Sequence, residues 1–384
     1  MKVCDCVKDS IWYDPRVRKQ IDQYMRAGVE VEGVGVMDPR YSKEEVEKIG
    51  CPIYLTDIDS TFYGKKSSIF SKIYREIKTN IGIYKDICKT KAVIIHANDL
   101  NALIPAYFAA KKIKAKIIYD THEIFIENPW IARKKVVKYI WGRFESFLIR
   151  RVDKVVCVSN AAAEYLAKKY RIARPMVVTN CIDKERIIAE EVLKSKHKEI
   201  LNHGQFYEGR GYDILVETAP LISNYTDLQI VLRGFGSMET QLRNRVNERK
   251  ISNLVFAPPV KVYELIPAAS SAWVGIAITE PISINFELSV SNKLFEYAAA
   301  GLPVIMSDIP EHRYLNEKFH FGIILKNHSP ESIVEAILKL YNNQDLYNEC
   351  SANAIKLSKE INWEKEFEKL MSVENDLIIR SEEK

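Results

Sequence analysis

The segment NKLFEYAAAG, from Asn292 to Gly301, places polar side chains together at the start of a predicted helix. Ser291 is a good N-cap residue, and Gly301 is typical of a helix end. Free backbone N–H groups, the positive end of the helix dipole and the Lys293 ammonium group all attract an anion to this helix start. Glu296, one turn further along, can accept hydrogen bonds from hydroxyl groups. Together these groups match the pyrophosphate and the hydroxyls of a nucleotide sugar.

The same residues have a simpler interpretation. Lys293 and Glu296 are three positions apart, so they would form a surface ion pair worth about 0.3–0.5 kcal/mol. A helix start after a strand is common in α/β proteins and does not by itself identify a ligand site. On this segment alone the two interpretations have equal weight.

Two glycine-rich loops favour the ligand site. The loop HGQFYEGRG, from His203 to Gly211, follows a predicted strand and begins a helix, and its Arg210 can neutralise a phosphate with two hydrogen bonds. The alternative is an ordinary glycine turn with a solvated arginine. The candidate backbone contacts are Gly204 and Gly209 in this loop, and Gly234 and Gly236 in the later loop RGFGS.

In the first half of the chain, polar residues follow two apolar runs. Asp120, His122 and Glu123 come directly after a predicted strand. A histidine at a strand end can donate to a sugar hydroxyl or to a departing phosphate oxygen, whereas the alternative is a core histidine. The run AVIIHANDLN ends in Asn98 and Asp99, either of which can cap the following helix. Asp99 is kept as a candidate contact for the acceptor.

The first strand is followed by Asp14-Pro15-Arg16 rather than by G-x-G-x-x-G, which disfavours a dinucleotide site there. Arg16, at a helix start, can contact phosphate or acceptor. Asp57-Ile58-Asp59 forms a D-x-D pattern, but no acidic cluster accompanies it, so we interpret it as surface charge and predict no metal site.

Composition describes an ordinary globular protein that is large enough for two domains. The chain has 384 residues, of which 47% are hydrophobic and 28% charged. Seven cysteines without a C-x-x-C pair indicate reduced thiols. The N-terminus lacks a signal-peptide pattern, and no stretch approaches the length of a membrane-spanning helix. We therefore expect a cytoplasmic protein.

Charge is distributed unevenly along the chain. Residues 1–185 contain 34 Lys and Arg against 23 Asp and Glu, whereas the remainder contains 22 against 28. The basic half is expected to meet an anionic partner. Within it, Val137, Ile140, Trp141, Phe144 and Leu148 recur at helical spacing. This helix either lies on an anionic bilayer or packs on the protein's own sheet. Its flanking cations are Arg133, Lys134, Lys135, Lys138, Arg143, Arg150 and Arg151.

Short β-branched runs alternate with amphipathic segments, a pattern typical of parallel βαβ units. The alternation restarts after a charged stretch, which predicts two Rossmann-like halves with a boundary near 182–198 and a ligand cleft between them. The predicted strands are Val3 to Val7, Val29 to Val36, Ala92 to His96, Lys116 to Asp120, Lys154 to Val158 and Met176 to Thr179, then Ile200 to His203, Gln229 to Arg233, Leu254 to Phe256, Trp273 to Ile278, Pro303 to Ser307 and Phe321 to Leu325.

Eight segments, in order, resemble the retaining GT-B glycosyltransferases of family four, also called glycosyl transferases group 1. They are YDPRVRKQ, HANDLNALIPAYFAA, YDTHEIFIE, RRVDKVVCVSNAAAEYL, GQFYEGRGYDILVE, RGFG, SNKLFEYAAAGLPVI and a tail helix beginning INWEKEF. The resemblance implies an α/β fold of two Rossmann-like, doubly wound domains facing a central cleft. It implies an acceptor-binding domain at 1–185, a nucleotide-sugar-binding domain at 186–360 and a tail helix at 361–384 that crosses back to the first domain.

The resemblance also implies residue roles. Glu296 would contact the ribose, Arg210 the diphosphate, and His122 would lie near the transferred sugar. Transfer would retain the anomeric configuration, with the departing diphosphate helping to take the acceptor proton and without a metal or other cofactor. The predicted catalytic residues are His122, Arg210, Lys293 and Glu296; the predicted donor contacts are Gly204, Gln205, Gly209, Gly234, Gly236, Ser289, Val290, Ser291 and Asn292; the predicted acceptor contacts are Asp14, Arg16, Asp99 and Glu123.

Two positions depart from the family pattern. Leu288 occupies the place of the first of two glutamates, eight residues before Glu296, and Glu287 is one step out of register. Gln205 stands where the family has an arginine after the first glycine of the phosphate loop. Arg210 and Lys293 would therefore carry more of the phosphate charge.

We predict transfer of a hexose-type sugar from a UDP- or GDP-sugar to a lipid-linked or glycan acceptor, in the synthesis of cell-surface polysaccharide or glycoconjugate. We also expect peripheral contact of the basic half with the inner face of the cell membrane. One alternative is a nucleotide-sugar epimerase of the same architecture. Another is a non-catalytic protein that binds membrane or nucleic acid, although the chain lacks a recognisable nucleic-acid-binding motif, so we predict no nucleic-acid partner.

Overall fold

The computed structural model describes residues 1–12, 14–40, 42–57, 68–188 and 195–382. The chain divides into two compact units, each with a parallel sheet of its own. Unit 1 comprises Met1–Val178 and Phe367–Lys384, and unit 2 comprises Thr179–Glu366. The predicted class, α/β with two Rossmann-like domains, is confirmed by these two sheets.

In the described part of unit 1, the strand order is β3-β2-β1-β4-β5-β6-β7, and all neighbouring strands are parallel. The strands are β1 (Lys2–Val7), β2 (Glu30–Val36), β3 (Ile53–Thr56), β4 (Ile94–Asn98), β5 (Lys116–Thr121), β6 (Lys154–Cys157) and β7 (Met176–Val177). The helices are α1 (Pro15–Arg26), α2 (Lys43–Glu47), α3 (Ile69–Thr90), α4 (Asp99–Ile113), α5 (Pro129–Ala132), α6 (Lys135–Leu148) and α7 (Asn160–Tyr170).

Unit 2 repeats the topology, with the order β10-β9-β8-β11-β12-β13 among its described strands. The strands are β8 (Lys198–Gln205), β9 (Leu228–Phe235), β10 (Leu254–Ala257), β11 (Val274–Ala277), β12 (Val304–Met306) and β13 (Gly322–Ile324). The helices are α8 (Tyr212–Leu221), α9 (Glu239–Glu248), α10 (Leu265–Ser270), α11 (Ile284–Leu288), α12 (Asn292–Ala299), α13 (Pro310–Phe319), α14 (Pro330–Tyr341) and α15 (Gln344–Glu360). The last helix, α16 (Trp363–Glu382), begins in unit 2 and continues into unit 1.

Each sheet has a point at which the strand order reverses direction. In unit 1 it lies between β1 and β4, and in unit 2 between β8 and β11. Ligands of open parallel sheets bind beyond the carboxyl ends of the strands at such a point. The loops after these four strands are therefore where each unit is expected to hold a ligand.

Among the elements of unit 1 that were not predicted from the sequence are one strand and one long helix. The strand β3 pairs with β2 at the sheet edge, and α3 is a helix of 22 residues that precedes β4. The D-x-D pattern between β3 and α3 includes Ile58 and Asp59, which lie outside the described residues.

Candidate active site

The helix α12 begins as predicted and points its first residues at the reversal point of unit 2. Leu294 and Phe295 are buried in the core, whereas Asn292 is exposed. Ser291 occupies the N-cap position but its side chain makes no capping hydrogen bond to the described helix start. The backbone N–H of Ser291 instead donates to Nε2 of His312 at 3.4 Å. The helix start thus lacks the usual side-chain oxygen that would satisfy its N–H groups.

Lys293 reaches from α12 towards the end of β8. Its Nζ donates to Oδ1 of Asn202 at 2.5 Å and lies 5.1 Å from the centre of the Tyr212 ring. Burial, together with the nearby charge of Arg210, lowers the pKa of Lys293 to about 7. A buried ammonium group with a weakened hold on its proton is stabilised by an added anion.

Glu296 lies one turn further along α12 and has a different partner from Lys293. Its Oε2 accepts a hydrogen bond from Nε2 of His203 at 2.7 Å. Burial alone would raise the pKa of Glu296, but this hydrogen bond and the charges of His203 and Lys293 lower it below its ordinary value. Glu296 is therefore an ionised, oriented acceptor. The alternative of a simple Lys293–Glu296 surface pair does not describe this arrangement.

His203 was missed as a site residue by the sequence analysis. It is buried at the end of β8, where its backbone N–H donates to the hydroxyl of Tyr297 at 2.9 Å and its ring lies against the Tyr297 ring. His203 thus fixes the carboxylate of Glu296 in place. Its position directly before Gly204 is the only signal in the sequence that could have identified it.

The first glycine loop runs past Lys293. Gly204 has a φ of 126°, and a Cβ there would lie 3.3 Å from Cε of Lys293. Gly209 has a φ of 81° and faces the side chains of Ile282 and Phe286. Gln205 is exposed at the end of β8. The glycines therefore leave room for the lysine and for the following turn.

The second glycine loop has a packing role. A Cβ on Gly234 would overlap the carbonyl oxygen of Gly204, and a Cβ on Gly236 would lie 2.5 Å from the backbone nitrogen of Phe206. These glycines allow β9 to approach the first loop closely. Gly234 and Gly236 thus pack against the backbone of the first glycine loop, and this backbone is what they contact in the structure.

Arg210 is the second cation of this site. Its guanidinium carbon lies 4.7 Å from the centre of the Phe286 ring, and its charge lowers the pKa of Lys293, which is close by. Arg210 follows Gly209 in the turn that leads into α8, so the loop and the start of α12 present two cations near the same reversal point.

The residues before α12 are held by hydrogen bonds within unit 2. Ser289 donates from Oγ to the carbonyl of Phe286 at 3.0 Å, and Ser289, Val290 and Leu288 are half-buried. Glu287 is exposed at the end of α11. Glu280, in contrast, accepts from the backbone N–H of Gly211 at 3.2 Å.

Unit 1 contains a buried charged cluster at its own reversal point. Asp120, on β5, accepts two hydrogen bonds from Arg16 at 2.9 and 3.1 Å and one from His96 at 3.1 Å. Burial alone would lower the pKa of His96, but Asp120 and Glu374 raise it to about 10. Burial would raise the pKa of Asp120, yet the cations lower it well below its ordinary value. These groups form an internal ion network.

His122 lies beside this cluster, as the sequence predicted for the end of β5. Its Nε2 is 3.0 Å from Oδ1 of Asn98, whose Nδ2 donates to Oδ1 of Asp5 at 2.5 Å. Because the Asn98 oxygen can only accept, Nε2 carries the proton. Burial lowers the pKa of His122 to about 4 against the opposing charge of Asp120. His122 is therefore neutral, and its Nδ1, 3.6 Å from Oδ2 of Asp99, is an acceptor.

Three predicted acceptor contacts have internal partners. Asp14 caps α1 by accepting from the N–H groups of Arg16 and Val17. Arg16 is buried, and besides Asp120 it donates to the carbonyl of Val178 at 3.1 Å. The expectation that Arg16 meets phosphate or acceptor is corrected by this placement, because its guanidinium is part of the unit 1 core. Asp99 accepts from the backbone N–H of His122 at 2.9 Å.

Glu123 is exposed next to His122, where its Oε2 accepts from Asn128 at 2.5 Å. A small cavity of about 70 Å³ lies beyond the carboxyl ends of β1, β2 and β3. Ile11, Trp12 and Met37 supply much of its apolar lining, and Asp38 supplies a carboxylate. This cavity and the His122 region both lie at the sheet edge where ligands of parallel sheets bind.

The chain has two Rossmann-like units, and unit 2 combines a glycine loop, two cations and an oriented carboxylate at its reversal point. These are the features of the GT-B class. The family model described as "Glycosyltransferase Family 4" matches residues 16–186. The model described as "Glycosyl transferases group 1" matches residues 183–357. Since the two matches together cover most of the sequence, the chain belongs to this glycosyltransferase family.

Relatives and solved structures agree with this assignment. An uncharacterized glycosyltransferase of Haemophilus influenzae is 23% identical over 216 residues, which span 56% of this chain and 58% of the relative. A sucrose-phosphate synthase of Thermosynechococcus elongatus superposes with a TM-score of 0.80 at 14% identity, covering 99% of this chain and all of the other. HepE of Anabaena, solved in complex with UDP-glucose, gives a TM-score of 0.75 at 12% identity, covering 98% of this chain and all of HepE.

Proposed function

We propose that the protein transfers a hexose-type sugar from a nucleoside diphosphate sugar, UDP- or GDP-linked, to a lipid-linked or glycan acceptor. The donor occupies the reversal point of unit 2, and the acceptor is bound by unit 1. The observation that carries the proposal is the pairing of Glu296 with His203 beside the half-buried Lys293.

The donor site follows from the chemistry of these groups. A diphosphate brings two negative charges, which Lys293 and Arg210 neutralise next to the N-terminal end of α12. The hydrogen bond from His203 to one carboxylate oxygen of Glu296 orients the other oxygen. Glu296 therefore accepts hydrogen bonds from a pair of ribose hydroxyls through that second oxygen. The same two cations stabilise the diphosphate as it leaves, so they lower the barrier to transfer.

We further propose that the transfer retains the anomeric configuration and needs no metal. The departing phosphate oxygen takes the proton of the acceptor hydroxyl, and Lys293 and Arg210 supply the charge that a divalent cation would otherwise provide. We expect the rate to be unchanged in excess EDTA. The anomeric configuration of the glycosidic bond in the product, measured by NMR and compared with that of the donor, tests retention.

On the acceptor side, His122 is proposed to accept a hydrogen bond from a sugar hydroxyl through Nδ1. This differs from the donor role expected from the sequence, because its Nε2–H is already given to Asn98. Glu123 and the cavity beside Trp12 are the remaining candidates for acceptor contact. The basic charge of the first half fits a lipid-linked acceptor presented at an anionic membrane.

A transfer assay tests the proposal directly. The purified protein is incubated with radiolabelled UDP-glucose, UDP-galactose, UDP-N-acetylglucosamine or GDP-mannose and a lipid extract as acceptor. Sugar should move to the lipid phase with wild type, and Arg210→Met should lower the rate by about 100-fold or more. Release of a changed sugar from donor alone would instead indicate an epimerase. Unchanged transfer by Arg210→Met would contradict the proposed site.

A further inference from the structure

The helix α3 of unit 1 has one face in the core and the opposite face in solvent. Ile83, Asp86 and Ile87 are buried, as is Thr79 one turn earlier. These positions recur at helical spacing, so they define the side of α3 that faces the sheet and α4. Packing against the rest of unit 1 therefore does not require apolar residues on the opposite side of α3.

That opposite side is a stripe of large apolar residues. Phe70, Tyr74, Ile77 and Ile81, at intervals of four, three and four residues, are 79, 69, 54 and 49% exposed, and Ile73 beside them is 52% exposed. Monomeric proteins rarely expose such a contiguous apolar surface unless it binds something. The stripe runs along three turns of the helix.

Cations border the stripe on one side. Lys78 and Lys85 are exposed there, next to Ile81 on the helical wheel. The exposed Lys72 and the half-buried Arg75 lie nearer the side that faces the core. Two acidic residues of the helix have cationic partners: Glu76 pairs with Lys8, and Asp86 with Lys89. An apolar stripe with lysines along a border is typical of a helix that lies in the interface of an anionic bilayer.

The helix α6 presents a second surface of the same kind. Val136 and Tyr139 are 72 and 70% exposed, and Ile140, Phe144 and Phe147 are about half exposed. Of the stripe predicted there, Leu148 is buried and Trp141 is half-buried against Phe125, so only part of it packs on the protein. Both α3 and α6 pack against α4, which places them in one helical layer of unit 1.

We propose that the outer face of α3, defined by Phe70, Tyr74, Ile77 and Ile81, is a membrane-docking surface that inserts into an anionic lipid bilayer, with α6 as an accessory contact. Among the described residues, the structure contains no helix both long and apolar enough to cross a bilayer. Docking of this kind would hold unit 1 at the surface where a lipid-linked acceptor is presented. To that extent it rests on the proposed function.

The chain offers a matched control for this surface. Val262 and Tyr263 of unit 2 are 57 and 62% exposed, so replacing them removes the same kinds of side chain from solvent as replacing Ile77 and Tyr74. The two double variants are Tyr74→Ser/Ile77→Ser and Val262→Ser/Tyr263→Ser. Neither pair is among the candidate site residues described above, and circular dichroism and thermal unfolding check that both variants fold.

Flotation with vesicles tests the proposal. Wild type and the Val262→Ser/Tyr263→Ser control should float with phosphatidylglycerol-containing vesicles at low salt and much less with pure phosphatidylcholine. Tyr74→Ser/Ile77→Ser should lower the partition coefficient by about tenfold or more. Equal flotation of both variants, or no flotation of wild type, would overturn the proposal.

Two further measurements separate the possible failures. Sedimentation without lipid shows whether Tyr74→Ser/Ile77→Ser converts a dimer into a monomer, in which case the face is an interface between two copies and the proposal is wrong. Binding of UDP-glucose and GDP-mannose in solution should be the same in wild type and both variants. If neither nucleotide sugar binds wild type while flotation depends on α3, the proposed function fails and the docking surface stands.

Discussion

At the scale of single residues, Lys293 links the proposed donor site to pH. Its pKa of about 7 results first from burial and then from Arg210, so the free protein loses the charge of this side chain as pH rises through neutrality. A diphosphate binds the charged form and raises the pKa back towards 10.5. Binding must therefore draw in a proton above pH 7.

We predict that the affinity for a nucleotide sugar falls as pH rises from 6 to 8.5, by up to about tenfold per unit above pH 7. Nucleotide sugars suit this test because their diphosphate does not titrate in that range. Calorimetry of UDP-glucose or GDP-mannose in two buffers of different ionisation enthalpy measures both the affinity and the proton uptake. Lys293→Arg, which stays charged, should show a flat profile; a flat profile in wild type would contradict the assigned role.

Asn98 is predicted to set the proton position of His122. In wild type, His122 should stay neutral down to about pH 4, because burial opposes its charged form. Asn98→Asp replaces the amide by a carboxylate and should raise the pKa of His122 by one unit or more. The other charged or titratable groups near the ring, which stay in place, are Asp120, Asp99, Asp14, Arg16 and His96.

NMR of histidine-labelled protein measures this change, with His122→Gln to assign the signal. Retained dispersion of the other histidine signals shows that Asn98→Asp folds. Titration of His122 near pH 6.5 in wild type would contradict the buried arrangement, and an unchanged pKa in Asn98→Asp would show that the Asn98 contact does not control the ring.

Candidate site residues could be predicted from the sequence where residue type and local position indicate a function. Residues that act by positioning another side chain were missed. Lys293 and Glu296 could be found because a helix start has a strong local pattern. His203 and Asn202 could not, since their partners are about ninety positions away in the chain. Arg16 was assigned to a ligand because nothing local revealed Asp120, the distant carboxylate that it binds.

At the scale of elements, the two glycine loops behave as one structure. Gly234 allows β9 to approach the carbonyl of Gly204 directly, and its φ of 145° is itself unfavourable for other residues. The close approach of β9 thus shapes the first glycine loop, which is proposed to bind the donor.

We predict that Gly234→Ala destabilises unit 2 by about 3 kcal/mol or more, because the added Cβ meets backbone that cannot move away. Gly301→Ala is the matched control: its φ is also positive, at 70°, but a Cβ there would only touch Ile355 at 3.4 Å. The control should cost about 1 kcal/mol. Urea unfolding compares the two variants, and equal losses of stability would contradict the packing role.

Regular βαβ alternation predicted most strands of both sheets, because buried parallel strands are short apolar runs between helices. The strand β3, with the sequence IYLT, is only four residues long and lies at a sheet edge. The helix α3 is apolar on two faces, one against the core and one in solvent, which obscures the single-face pattern that identifies a globular helix. Both elements were missed for these reasons.

At the scale of the whole molecule, the chain forms two compact units, each with its own sheet, and donor and acceptor binding are proposed to be divided between them. The lysines and arginines are concentrated in the first half, and the acidic residues are in excess in the second. The unit that is proposed to hold an anionic donor is therefore the acidic one, and it attracts the diphosphate only through the local cations of its loops.

We predict that a bound nucleotide protects amides locally. In hydrogen exchange with saturating UDP or GDP, protection should rise in residues 203–211 and 289–296 and stay unchanged in β1 and β4 of unit 1, because the proposed contacts are confined to unit 2. Protection confined to unit 1 would place the nucleotide elsewhere. A non-binding nucleotide such as CMP serves as the control.

Titration of UDP-glucose and GDP-mannose into wild type, Glu296→Gln and Glu287→Gln tests the central claim most directly. We predict that at least one of the two nucleotide sugars binds wild type. Glu296→Gln should weaken this binding by about 10- to 100-fold, because the variant loses charge-assisted hydrogen bonds. The control Glu287→Gln, at an exposed position, should leave the affinity unchanged. Equal affinity of Glu296→Gln and wild type would contradict the donor site described for unit 2.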